Sequence, residues 1–209
     1  MKVILFGGAE TGEGIKEMKM IERVIKREKP KQVLHIPSAR VTTKEPEWQG
    51  DWYHKNIKHP GIIYLNSENK VDMAKVKNPL IFISGGSSIM NLHAVLKKNP
   101  KLVRLIKNAS CIIGESAGAK MLGAYFRVSG SDPKSKMAKG LNLIKDTAIE
   151  AHYTQRKREK ILELDMEEAP VRFGVGIDTI TALEFDTETF PTKIKKIGKG
   201  KVVIREQVR

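Results

Sequence analysis

One cysteine, Cys111, is the only thiol in this 209-residue chain. An internal disulfide is therefore excluded, and that usage points to a reducing compartment. Hydrophobic runs are short, and none approaches the roughly 18 apolar residues needed to cross a bilayer. The opening Met1-Lys2-Val3-Ile4-Leu5-Phe6-Gly7-Gly8 is too brief for a signal sequence, lacks a small-residue cleavage site and runs straight into a glycine turn. It is read as a first strand, and the expectation is a cytoplasmic protein with no membrane partner. Acidic residues are scarce beside basic ones: 24 Asp and Glu against 38 Lys and Arg give a formal charge of +14. No helix-turn-helix, RNA-recognition or zinc pattern accompanies the lysines, which are spread through almost every predicted helix. The excess reads as a solvated basic surface, with no specific nucleic-acid partner.

A phosphate-binding loop is also missing. The turn Gly7-Gly8-Ala9-Glu10-Thr11-Gly12-Glu13-Gly14 is rich in glycine, but Glu13 stands where a P-loop needs lysine, and the spacing is not G-x-G-x-x-G. Its two glutamates would repel a phosphate.

What is present is an alternation of short β-branched runs with longer amphipathic ones, the pattern of a mostly parallel sheet with helices on both faces. Strands are predicted at 2–6, 32–36, 61–65, 80–84, 110–114, 147–151, 173–177, 181–185 and 201–205. Helices are predicted at 14–29, 47–58, 71–77, 88–107 (broken before Pro100), 119–125 and 155–168, with a polar loop over 127–139. No repeat or domain-scale linker interrupts this, so residues 1–209 are read as a single α/β domain. In such sheets ligands sit beyond the carboxyl ends of the strands, which selects the turns after Phe6, Ile36, Ser84 and Gly114.

One of those turns carries a chemical signature. Gly114-Glu115-Ser116-Ala117-Gly118 lies between the apolar run Cys111-Ile112-Ile113 and a helix-compatible segment, the strand-turn-helix context of a nucleophile elbow. A serine needs a base to take its proton and an acid to orient that base. Of the five histidines, His35 lies inside a strand, His54 and His59 lie in or beside a charged helix, and His93 lies on a helix. His152 ends a strand and points toward the cleft. For the acid, Asp146 and Asp165 read as turn and surface residues, which leaves Asp132 and Asp178 as rivals. The turn Ile83-Ser84-Gly85-Gly86-Ser87 offers backbone amides for an oxyanion.

At these residues the chain resembles the peptidase E (aspartyl dipeptidase) and cyanophycinase family of serine peptidases. The matching pieces are Ile83 to Ser87, Gly114 to Ala119, Ala151-His152-Tyr153, Arg156 to Ile161 and Gly174 to Leu183. The resemblance implies a class I glutamine amidotransferase-like, flavodoxin-like three-layer fold. It implies Ser116 as nucleophile, His152 as general base and Asp132 as the orienting acid, with the Gly86 and Ala117 amides as the oxyanion hole. It also implies that Arg127 pairs with a substrate carboxylate. The chain departs from the family in having Glu115 where peptidase E has an aromatic residue, and Gly-Gly-Ser where the family has Gly-Gly-Asn or Gly-Gly-Asp. Glu115 offers a carboxylate to a substrate's free α-amino group. The expected activity is hydrolysis of short peptides or dipeptides, N-terminal Asp among them, through an acyl-enzyme, by a monomer or homodimer without metal or organic cofactor. The alternatives are a catalytically silent or amidotransferase-like relative, although no His-x-Glu pair follows the elbow, and a basic protein that binds polyanions.

Overall fold

The computed structural model describes residues 1–39, 57–64 and 72–207. Strand β1 (Lys2–Phe6) is apolar without alternation because both of its faces are covered. Val3 and Leu5 enter one core cluster, while Ile4 and Phe6 enter the cluster on the opposite face. The strand β5 (Cys111–Glu115) divides in the same way, with Ile112 on one side and Cys111 and Ile113 on the other. Helix α1 (Gly14–Glu28) buries Met18, Ile21, Val24 and Ile25 against the second of these faces. Helices α2 (Ile89–Lys98) and α3 (Pro100–Lys107) cover the first, and the break between them falls at Pro100.

The first sheet also contains β2 (Val33–Ile36), β3 (Ile62–Tyr64), β4 (Leu80–Ile83), β10 (Thr181–Asp186) and β11 (Ile194–Gly198). Its seven strands run in the order β11-β10-β1-β5-β4-β2-β3. From β1 to β3 the pairing is parallel, and β10 and β11 add an antiparallel edge.

The remaining strands do not join this sheet, as a single-sheet reading expects. They are β6 (Tyr125–Arg127), β7 (Met137–Lys139), β8 (Thr147–Ala151), β9 (Phe173–Ile177) and β12 (Val202–Glu206). They form a separate five-stranded sheet in the order β12-β9-β8-β6-β7, parallel through β9-β8-β6. The division follows from the element after β5. Helix α4 (Ala117–Leu122) has six residues, too few for a crossover back to a parallel neighbour. Ala124 N–H instead bonds to Thr147 O at 2.7 Å, and β6 pairs with β8. Helix α5 (Glu159–Glu168) packs Leu162 and Met166 against Ala148 and Tyr153 to close the core of this second sheet.

Two further expectations change. Of the helix expected over 71–77, residues 72–77 hold a single 3-10 turn, Met73–Lys75, started by the Asp72 side chain, which accepts from Ala74 N, and residue 71 lies outside the described residues. The helix expected over 47–58 falls almost wholly outside the described residues. Among the described residues no helix is long and apolar enough to cross a membrane. The turns after β1, β4 and β5 meet the end of β8: a Cβ on Gly8 would lie 2.5 Å from His152 Nε2 and one on Gly85 2.6 Å from Ser116 Cβ.

Candidate active site

Ser116 sits between β5 and α4 with φ 51° and ψ −111°, a backbone conformation costly for a residue with a Cβ. The surroundings hold it there. Its N–H donates to Phe6 O at 3.0 Å, and its carbonyl accepts from Lys120 N to begin α4. The turn after β4 must pass very close to this elbow. A Cβ on Gly85 would lie 2.6 Å from Ser116 Cβ, so glycine is required there.

His152 follows β8 and is also left-handed, at φ 52°. Its N–H donates to Gly7 O at 2.9 Å, one residue beyond the carbonyl that holds Ser116. The end of β1 therefore positions both residues. Gly8, at φ +91°, passes directly beneath them, and a Cβ there would come within 2.5 Å of His152 Nε2. With that space clear, His152 Nε2 lies 3.0 Å from Ser116 Oγ.

The other ring nitrogen meets Glu10. His152 Nδ1 is 2.8 Å from Glu10 Oε1. A carboxylate accepts only, so Nδ1 carries the proton and Nε2 is left to accept from the serine hydroxyl. Arg156 in turn donates to both Glu10 oxygens, from Nε at 2.7 Å and from Nη2 at 3.2 Å. That hydrogen bond is the main reason the Glu10 carboxyl is held below the usual carboxylate range, so Glu10 is ionised. Burial, and then the Arg156 cation, push His152 down to about 4 against the pull of Glu10, so the imidazole is neutral near pH 7.

Ser116, His152, Gly86, Ala117 and Arg156 line one cavity of about 390 Å³. Gly86 N–H and Ala117 N–H have no acceptor among the described residues. Lys120 and Glu150 form a buried ion pair in the cavity wall. Arg158 also lines the cavity, half-buried; its backbone N–H donates to Tyr153 O at 2.8 Å, and its guanidinium makes no hydrogen bond or ion pair among the described residues.

Three of the residues selected from the sequence stand elsewhere than expected. Asp132 is exposed in the loop after β6 and accepts from Lys134 N at 2.9 Å, a local turn well suited to the Ser-Asp-Pro sequence. The carboxylate bonded to His152 Nδ1 is that of Glu10, 142 residues earlier in the chain. Arg127 has its guanidinium spent inside the protein. It donates to Asp165 at 2.7 Å, to Glu168 at 2.9 Å and to the carbonyls of Pro133 and Ser135, which fixes the loop over the cavity. Glu115 is buried and accepts from Gly85 N, so its carboxylate braces a backbone turn rather than facing a substrate amine.

Asp178, the rival acid, accepts from Thr154 N, Thr154 Oγ1 and Lys201 N and so anchors the segment after His152. His35 is buried against Ser84 and Phe82, His59 bonds to Pro30 O, and His93 packs edge-on to Phe126. His54 lies outside the described residues. The one sequence signal for Glu10 is its place in the turn after β1, at the carboxyl edge of the sheet.

Comparison with known proteins agrees with this architecture. The chain is 28% identical over 189 residues to the cyanophycinase of Synechococcus elongatus, covering 81% of this chain and 56% of that protein. It is 31% identical over 189 residues to the cyanophycinase of Geminocystis herdmanii, covering 81% and 67%. It thus spans a little over half the length of the first of these relatives. The crystal structure of a peptidase from an acI-B1 Actinobacterium superposes with a TM-score of 0.64 at 19% identity, over 96% of this chain and 88% of that one, which shows a common fold. A model of one family matches residues 3–193, nearly the whole length. The chain belongs to peptidase family S51.

Proposed function

We propose that the protein is a serine-type hydrolase that cleaves short peptides through an acyl-enzyme. The observation that carries this reading is the unbroken line from Ser116 Oγ through both ring nitrogens of His152 to Glu10, at 3.0 and 2.8 Å. Ser116 Oγ attacks the scissile carbonyl carbon and its proton passes to His152 Nε2. The carbonyl π electrons move to oxygen, which Gly86 and Ala117 N–H groups stabilise. His152 then gives the proton to the amine as the C–N bond breaks. Water, activated by the same imidazole, releases the acyl group. Glu10 holds the tautomer and balances the imidazolium that forms, and Arg156 holds Glu10.

The unpaired Arg158 gives the cavity a cation free to receive a carboxylate. We assign it to the acidic side chain of the residue preceding the scissile bond, consistent with dipeptides that begin with Asp. Cyanophycin, for which the relatives are named, belongs in the same assay.

The test is hydrolysis across a dipeptide library and cyanophycin by wild type, Ser116→Ala, Glu10→Gln and Asp132→Asn. Turnover should fall by about 10⁴ or more in Ser116→Ala and by about 10²–10⁴ in Glu10→Gln. Asp132→Asn should match wild type. Undiminished turnover in Ser116→Ala would remove the proposal, and a collapse in Asp132→Asn with an active Glu10→Gln would return the acid role to the loop.

A further inference from the structure

Glu115 closes β5 and immediately precedes the elbow serine. Its side chain is 4% exposed, and Oε2 accepts the Gly85 N–H at 2.5 Å. The parallel ladder between β4 and β5 ends with Ile83 opposite Gly114. Beyond that pair the turn Ser84-Gly85-Gly86 has left the sheet, and the Glu115 carboxylate ties it back to β5. Ser84 N–H is held from the other side by Ile36 O at 3.2 Å. The next residue, Gly86, lines the cavity with Ser116, and its N–H has no acceptor among the described residues.

We infer that Glu115 is a positioning residue that sets the oxyanion-binding amide of Gly86 through its bond to Gly85 N–H, an inference that rests on the reading of Ser116 as nucleophile. A charged acceptor makes this bond stronger than a neutral one. A glycine pair has no side chains to fix its dihedrals, so without the bond the turn can relax. The oxyanion needs its donors at hydrogen-bonding distance, and losing one donor costs about 10²–10³ in turnover. A displacement of about 1 Å costs about 10². Because the amide acts on charge that develops in the transition state, the loss falls on kcat and leaves KM nearly untouched.

Two conservative variants separate reach from charge. Glu115→Gln keeps an oxygen acceptor at the same distance without the charge. Glu115→Asp keeps the charge but withdraws it by one methylene. With the best substrate from the library, Glu115→Gln should lose about tenfold in kcat and Glu115→Asp about 10²-fold, both with KM nearly constant. Labelling of Ser116 by a fluorophosphonate should slow in parallel, while melting temperatures confirm that each variant is folded. If Glu115→Asp does not fold, the Gln variant still decides: a loss of kcat with KM held supports the inference, and wild-type kcat, or a raised KM with kcat held, overturns it. Wild-type kcat in a folded Glu115→Asp protein also overturns it. Hydrolysis by the Ser116→Ala protein would instead overturn the nucleophile reading itself, so the two failures are distinct.

Discussion

His152 sets the pH range over which the site can work. An imidazole in water titrates near pH 6.5, but burial and the Arg156 cation bring this one down to about 4. The acid limb of kcat/KM should therefore lie near pH 4, with activity flat from pH 7 to about pH 5. Arg156→Gln removes the second-largest downward influence and releases Glu10, so the limb should move toward higher pH. A wild-type limb centred near pH 6.5 would refute the neutral, buried imidazole. The same shift bears on stability. Between about pH 6.5 and 4 the unfolded chain holds a proton that the folded His152 does not, so stability falls as pH drops through that window. Ser116 and His152 were legible because a motif and a strand end mark them. Glu10 is marked in the sequence only by its place in the turn after β1, and the 142 residues between it and its partner hide the pairing. Convergence at a sheet edge depends on strand order, which adjacency in the chain does not reveal.

At the scale of elements, the end of β1 is the spine of the site. Three successive carbonyls, of Phe6, Gly7 and Gly8, accept from Ser116, His152 and Ile180 N–H groups. Gly8→Ala tests this arrangement. The positive φ should cost about 1 kcal/mol of stability, whereas the new Cβ, 2.5 Å from His152 Nε2, must displace the ring. Activity should thus fall by about 10² or more while the melting temperature changes little; equal modest losses in both would show that the ring has room to move. Arg127 gives the opposite pattern. It is 1% exposed, as is its partner Asp165, whose carboxyl is raised to about 6 chiefly by burial and then by the Glu150 charge. Arg127→Met leaves that carboxyl without its cation and should cost about 3–5 kcal/mol in denaturant unfolding, a cost that a substrate-binding arginine would not carry. The apolar strands β1, β4, β5 and β8 were legible as runs covered on both faces. Strands β6 and β7 were not: three residues each, flanking a Ser- and Lys-rich loop, are too short for any periodicity to register.

Over the whole molecule, two sheets meet where one was expected, and the site needs both. Glu10 and Ser116 leave the first sheet, while His152 leaves the second. Composition carries no trace of that division, because it turns on the length of one six-residue helix. Net charge, by contrast, is fully legible and acts over the entire surface: +14 in total, with β11 presenting exposed lysines at an open sheet edge. On the proposed reading two positive contributions act on an acidic substrate, and salt separates them. The diffuse field reaches about 30 Å at 0.01 M salt but only about 8 Å at 0.15 M, so steering by the surface lysines should fade over that range. Contact with the Arg158 guanidinium inside the cavity is screened much less. The ratio of kcat/KM for an Asp-containing dipeptide to that for its Asn counterpart should shrink several-fold between these salt concentrations and then level off above unity. Arg158→Ala should remove the residual preference and leave the salt-sensitive part in place. A ratio that falls to unity with salt in the wild type would assign the preference to bulk charge, and would sink the pairing of Arg158 with a substrate carboxylate.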